Sequence, residues 1–184
     1  MLGPRNGIAL SLVLGLFPFG FVCGSGNWSL ELEELAPGVY MHQGRHVSLE
    51  SSRRGDSANI GFIAGEQCVA VVDSGGAFQV GRWLAREIKE RVGKPVCYLI
   101  NTHVHFDHVL GNAAFSDPKV KLVAHPNFMG TLVENSDFFS DNFADEIDGG
   151  VLPHEIDATH VIVDQKIEID LGNRKLTIEA HGSA

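Results

Sequence analysis

The chain has 184 residues, 44% of them hydrophobic, and a formal net charge of −9 at pH 7 with histidine counted neutral. That length and apolar content fit one globular domain with a core of ordinary size. The acidic balance argues against a nucleic-acid-binding face, which needs clustered lysine and arginine to meet phosphates.

Residues 1–24 stand apart from the rest. Arg5 is their single charged side chain, and Ile8 to Val22 is almost wholly apolar. A short polar start, an apolar middle and small residues ending at Gly24 make the shape of a secretory signal peptide. The apolar stretch is short for a membrane span; a retained anchor is the alternative. Cys23 invites a lipoprotein reading, but Val22 does not fit the small residue expected before it. The expected organisation is a signal peptide over 1–24 and one domain over 25–184, exported to the periplasm or secreted. Membrane contact is expected only if the leading segment is retained.

Gly38 to Gln43 reads as a strand and the polar stretch Ser48 to Asp56 as a loop. Ala58 to Ala64 and Gln67 to Ser74 read as a hairpin joined at Gly65-Glu66. Ser74-Gly75-Gly76 breaks the chain. Ala77, Val80, Leu84 and Ile88 then recur at helical spacing, which predicts an amphipathic helix over 77–92 ended by Gly93. Lys94-Pro95 leads into the apolar run Val96 to Ile100, a buried strand. A strand–helix–strand unit of this kind is parallel and right-handed. It brings Asp73 and the residues after Ile100 to one carboxyl edge, where open α/β sheets place their sites.

At that edge stands Asn101-Thr102-His103-Val104-His105-Phe106-Asp107-His108, with four metal-capable side chains in six residues. In an extended chain, residues two apart share a side, so His103 and His105 can face one metal position. Asp107 and His108 follow a turn, aim elsewhere, and suit a second position. Imidazole and carboxylate donors in this mix favour zinc, with manganese or iron also compatible. Asp73 has two readings: a turn aspartate before Ser-Gly-Gly, or a carboxylate orienting a ligand histidine through its free ring N–H.

Beyond the motif, the pattern predicts a short helix over Val109 to Phe115 and a strand over Lys119 to Ala124. A helix over Pro126 to Glu134 follows, then strands over Val161 to Val163, Lys166 to Leu171 and Lys175 to Ala180. Phe138, Phe139 and Phe143 are expected to pack under a loop. His125 reads as a surface or capping histidine, and His154 and His160 lack a partner at ligand spacing. Cys68 and Cys97 lie near strand starts. An exported chain permits a disulfide between them, but two small buried apolar residues is the commoner role.

Asn101 to His108 resembles the signature of the metallo-β-lactamase-fold hydrolases. Val69 to Gly75 resembles their preceding strand and turn, and Leu35-Ala36-Pro37-Gly38-Val39-Tyr40 their opening. The likeness runs from about Leu30 to the C-terminus and is nearest in texture to exported zinc hydrolases of quinoprotein relay systems. It implies an α/β fold, the αββα sandwich, of which this chain carries the amino-terminal half and the first strands of the second sheet. It also implies a zinc-dependent hydrolase, with one or two ions held by His103, His105, Asp107 and His108. The substrate would be a small molecule: an ester, thioester, lactone or lactam. Asp107 would orient the water or take a proton, Asp73 would orient a ligand, and His125 would lie near the site without ligating.

The chain departs from the family pattern after Ala180. His181-Gly182-Ser183-Ala184 ends it where the resemblance places the third histidine ligand next. A competing alignment makes His181 that ligand, with Gly182 in place of the usual threonine. On this reading the chain is carboxy-terminally incomplete, and the alternative function is an inactive fragment or an exported metal-binding protein of the same fold. Residues 25–184 alone are expected to be inactive and prone to aggregate, because the inner faces of Val69, Val71, Val96 and Ile100 would lack part of their covering sheet.

Overall fold

A computed structural model of the chain describes residues 30–46, 55–147, 152 and 159–182. The signal-peptide assignment, His154 and most of the Ser48–Asp56 loop lie outside the described residues. Among the described residues, nine strands and four α-helices run in the order β1 (Glu33–Ala36), β2 (Val39–His42), β3 (Ile60–Ala64), β4 (Val69–Val72), α1 (Phe78–Arg91), β5 (Val96–Ile100), α2 (Phe106–Val109), β6 (Lys121–Ala124), α3 (Phe128–Glu134), α4 (Ser136–Asn142), β7 (Thr159–Ile162), β8 (Lys166–Asp170) and β9 (Lys175–Glu179). A 3-10 turn, Asn112–Phe115, follows α2.

Strands β1 to β7 form one sheet in sequence order. The first four pair antiparallel, with short turns joining β1 to β2 and β3 to β4. From β4 to β7 the pairing is parallel, because α1 and the later helices carry the chain back across the sheet. Strands β8 and β9 form a separate antiparallel hairpin. It packs on one face of the large sheet, where Leu171 and Ile169 meet Ala70, Ile100 and Val123. The helices cover the other face, where Val80, Leu84 and Ile88 of α1 meet Val69, Val71 and Leu99. The result is an α/β fold with helices on one side of the main sheet and a two-stranded second sheet on the other.

Helix α1 has no side-chain N-cap; instead the carbonyl of Glu146 accepts the Phe78 N–H at 3.0 Å. Its apolar stripe, Val80, Trp83, Leu84 and Ile88, is buried. Leu84 has no exposed surface, so truncation to alanine costs roughly 2–5 kcal/mol. Lys89 and Arg91 sit in the last turn, and Gly93, at φ +67°, supplies the left-handed residue that ends it.

Four sequence expectations are corrected here. The helix after the motif starts at Phe106, not Val109, and gives way to the 3-10 turn, so Asp107 and His108 occupy a helical first turn. Val69, Val71 and Val96 face the helices rather than a covering sheet; of the four residues named for that sheet, only Ile100 packs against β8–β9. The strand alternation that points Ala70 at the second sheet points its neighbours at α1. Cys68 and Cys97 are joined as a disulfide, with Cα atoms 5.8 Å apart. A register shift between Val69 and Ala70 leaves Cys97 as the extra residue between Val96 and Tyr98, and this turns its side chain toward Cys68. Phe138, expected to pack inside, is 46% exposed, while Phe139 and Phe143 are buried as expected.

Candidate metal centre

Strands β4 and β5 run parallel and end side by side. Their carboxyl ends deliver Asp73 and Asn101 to one edge, as the βαβ reading expects. Asp73 has φ +54°, a left-handed conformation that aspartate tolerates better than most residues. It is 2% exposed, and such a carboxylate needs partners. Three are present. Oδ1 accepts the Thr102 backbone N–H at 2.8 Å; Oδ2 accepts the Thr102 hydroxyl at 2.7 Å and His108 Nδ1–H at 2.8 Å. Asp73 is thus both the turn aspartate and an orienting group.

The hydrogen-bond directions fix the rings. A carboxylate only accepts, so the Thr102 hydroxyl donates to Asp73 and accepts from His103 Nδ1–H at 3.0 Å. That leaves Nε2 of His103 as the lone-pair nitrogen. It accepts a hydrogen bond from Nδ1–H of His105 at 3.0 Å. Two nitrogens bound about 2.0–2.1 Å from one tetrahedral ion sit roughly 3.3 Å apart, so this pair is close to ligand spacing. His105 is extended, at φ −66° and ψ 148°, and caps α2. Asp107 and His108 follow in the first turn of that helix. With Nδ1 of His108 tied to Asp73, its Nε2 faces Asp107 Oδ1 at 3.9 Å. The rings of His103 and His108 lie 4.0 Å apart, so the two pairs adjoin.

Among the described residues, no group of three or more His, Cys, Asp or Glu side chains is arranged to hold a metal ion. The four motif residues form two adjoining pairs of donors. Their chemistry fits a zinc-type ion, but each pair falls short of the three protein ligands of an open zinc site.

The electrostatics separate the two histidines. Burial pushes His103 below the usual imidazole range, helped by the neighbouring His108 and His105 rings. Burial also works against charge on His108, but the Asp73 hydrogen bond and the Asp73 and Asp107 charges outweigh it and raise His108.

Beneath the motif, Asn101 and Asn112 pair their amides, Nδ2 of Asn112 donating to Asn101 Oδ1 at 2.8 Å. Ser74 Oγ donates to Asn112 Oδ1 at 2.7 Å. Ser74 N–H donates to the His108 carbonyl at 3.0 Å, tying the helix turn to the β4 turn. Gly76 permits this approach: a Cβ there would lie 2.9 Å from Asp107 Cα. Ser57 Oγ donates to Asp107 Oδ2 at 3.1 Å. Next to it, buried Asp56 accepts from His42 Nε2 at 2.5 Å and from Arg45 Nε at 2.6 Å, while His42 Nδ1 meets the Glu31 carbonyl at 2.8 Å.

His125 is at the edge of the site. It accepts the Asn127 N–H through Nδ1 at 3.2 Å and lines a cavity of about 330 Å³ with His103, Phe128, Thr131 and Val163. The hydrogen bond goes to the residue before α3, and α3 itself has no side-chain cap. His181 lines the same cavity; its ring is 82% exposed and its Nε2 lies 3.8 Å from Glu179 Oε2. His160, on β7, is exposed.

A histidine–aspartate cluster stands at the carboxyl edge of a sheet covered by helices on one side and by a second, two-stranded sheet on the other, a sandwich-type α/β arrangement. Residues 53–182 match the sequence profile of the metallo-beta-lactamase superfamily, and the chain belongs to that superfamily. The structure is similar to a metallo-beta-lactamase from Pontibacter korlensis, with TM-score 0.56 and 16% identity over 81% of this chain and 59% of that one. It is also similar to a metallo beta lactamase from Hirschia baltica, with TM-score 0.53 and 20% identity over 77% of this chain and 56% of that one. At these identities the likeness is one of fold, and the chain spans less than two thirds of either structure. No curated protein matches the sequence.

Proposed function

We propose that the chain provides the first metal-binding half of a zinc-dependent hydrolase site, acting on an ester, thioester, lactone or lactam of small size. Superfamily membership supports metal-dependent hydrolysis in general. The observation that carries the finer reading is the lone-pair nitrogen of His103, fixed by the Asp73–Thr102 relay and aimed at His105 Nδ1.

His103 and His105 would hold one ion, Asp107 and His108 a second. When bound, the metal supplies Lewis acidity, activating water near neutral pH and polarising a carbonyl. Asp73 holds His108 in the tautomer that presents Nε2 and, through Thr102, presents Nε2 of His103. Asp107 would orient the attacking water or take its proton. The cavity beside His103, walled by Phe128 and Val163, offers apolar surface to a substrate group.

The Cys68–Cys97 disulfide supports export, because such bonds persist in oxidising compartments. No helix among the described residues is long and apolar enough to cross a membrane.

Zinc content and hydrolysis of a chromogenic lactam and a thioester test the proposal. The double variant His103→Ala/His105→Ala is expected to bind less zinc per chain and to lose any turnover. Unchanged zinc in that variant would overturn the assignment.

A further inference from the structure

We propose that Ser57 is a positioning residue: its hydroxyl fixes the Asp107 carboxylate so that Oδ1 is the oxygen presented beside His108. The proposal rests on the reading of the motif as a metal centre.

Ser57 Oγ donates to Oδ2 of Asp107 at 3.1 Å across 50 residues of sequence. The other oxygen, Oδ1, faces His108 Nε2 at 3.9 Å. A lone carboxylate rotates about its last torsion, a broad and roughly two-fold well, and presents either oxygen in turn. A donor on one oxygen removes that freedom, and outer partners of this kind set the orientation of metal-binding carboxylates.

The segment 55–57, which carries Ser57, is held independently of that hydrogen bond. Gly55 has φ +69°, and a Cβ on it would lie 2.5 Å from Ala77 N, so the loop is seated directly on the turn after β4. The Gly55 carbonyl accepts Gly76 N–H at 3.0 Å. On the other side, Asp56 is locked between His42 and Arg45, and the Asp56 carbonyl accepts Arg45 N–H at 3.0 Å. The hydroxyl is therefore presented by a fixed frame, not by a free side chain that settled on the nearest acceptor. The side chain is half-buried, which protects the bond from competing water.

The test uses the full chain and two readouts that do not need turnover. Zinc affinity is measured by competition with a chelator, and the visible ligand-field spectrum is recorded with cobalt(II) in place of zinc. Ser57→Ala is expected to weaken zinc binding on the order of 10-fold, within the usual range for outer partners. It should also change the cobalt spectrum while leaving the melting temperature of the metal-free protein unaltered. Ser57→Thr, which keeps the hydroxyl, is expected to restore both. Should Ser57→Ala not fold, Ser57→Gly takes its place in the comparison. Wild-type affinity and an unchanged spectrum in the variant lacking the hydroxyl would overturn the proposal. So would a folded Ser57→Thr protein that behaves like the alanine variant. Asp107→Ala separates this from failure of the underlying reading: if it, too, leaves metal binding untouched, Asp107 is not a ligand and the reading of Asp107 and His108 as a metal position falls. An unaltered chain that takes up neither zinc nor cobalt overturns both.

Discussion

Asp73 Oδ2 accepts hydrogen bonds from His108 Nδ1 at 2.8 Å and from the Thr102 hydroxyl at 2.7 Å, so one carboxylate sets two histidines. The first arm is direct; the second passes through Thr102 to His103. Replacing Asp73 by alanine releases both rings, and replacing Thr102 by valine releases only His103. Asp73→Ala is expected to lower zinc affinity by on the order of 10- to 100-fold, and Thr102→Val by less. Chelator competition measures both, and equal losses would show that the direct arm to His108 contributes nothing.

The same carboxylate gives the metal-free protein a pH dependence. His108 is raised above its ordinary value despite burial, through the Asp73 hydrogen bond and the Asp73 and Asp107 charges. A histidine raised on folding contributes stability that is complete below its unfolded value, about 6.5. That contribution is lost as pH rises through the higher folded value. The melting temperature of the metal-free chain should therefore carry a component falling upward from about pH 6.5. Asp73→Asn should remove that component. His103 works the other way, because burial and its histidine neighbours lower it, so the difference between wild type and Asp73→Asn is the quantity to follow.

Much of this arrangement was legible in the sequence because it obeys local rules. The helical spacing of Val80, Leu84 and Ile88 and the run Val96 to Ile100 placed β4, α1 and β5, and the parallel unit brought Asp73 to the motif. Other elements carry no such signal. Strand β1 is exposed throughout, so its sequence shows no alternation of buried and open positions. Helix α4, Ser-Asp-Phe-Phe-Ser-Asp-Asn, buries only Phe139; it is held by packing, with Phe143 stacking on Phe106 at 4.3 Å, rather than by its own periodicity. The Ser57–Asp107 contact and the Asp56 cluster join residues far apart in sequence, and nothing in either segment alone announces the other. The disulfide depended on a one-residue register shift that composition cannot show.

That disulfide closes a loop with a sequence separation of 29. Loop-closure entropy assigns such a crosslink about 3.5 kcal/mol at room temperature, before any native-state cost. Cys68→Ala/Cys97→Ala is expected to lower stability by an amount of this order. Chemical denaturation of the oxidised protein and the double variant gives the comparison. The crosslink lies at the amino ends of β4 and β5, opposite the histidine–aspartate edge, so zinc affinity of the folded variant should not change.

His42, Asp56 and Arg45 give the final expectation. His42 and Asp56 are each 5% exposed. Both ring nitrogens of His42 face oxygen acceptors, the Glu31 carbonyl and Asp56 Oδ1, and Asp56 Oδ2 is taken by Arg45. Removing the carboxylate leaves the buried imidazole with an unmet partner, and breaking a buried pair costs roughly 3–5 kcal/mol. The Arg45 side chain is 62% exposed, so water replaces its share and the lower end of that range applies. Asp56→Ala is therefore expected to destabilise the chain by about 3 kcal/mol, with a clear drop in melting temperature. Arg45→Ala, which leaves the His42–Asp56 pair intact, should cost well under half as much. Because Asp56 holds the frame that presents Ser57, Asp56→Ala should also weaken zinc binding, whereas Arg45→Ala should leave it near wild type. Equal stability losses in the two variants would show that the exposed guanidinium, not the buried imidazole, is the partner that matters.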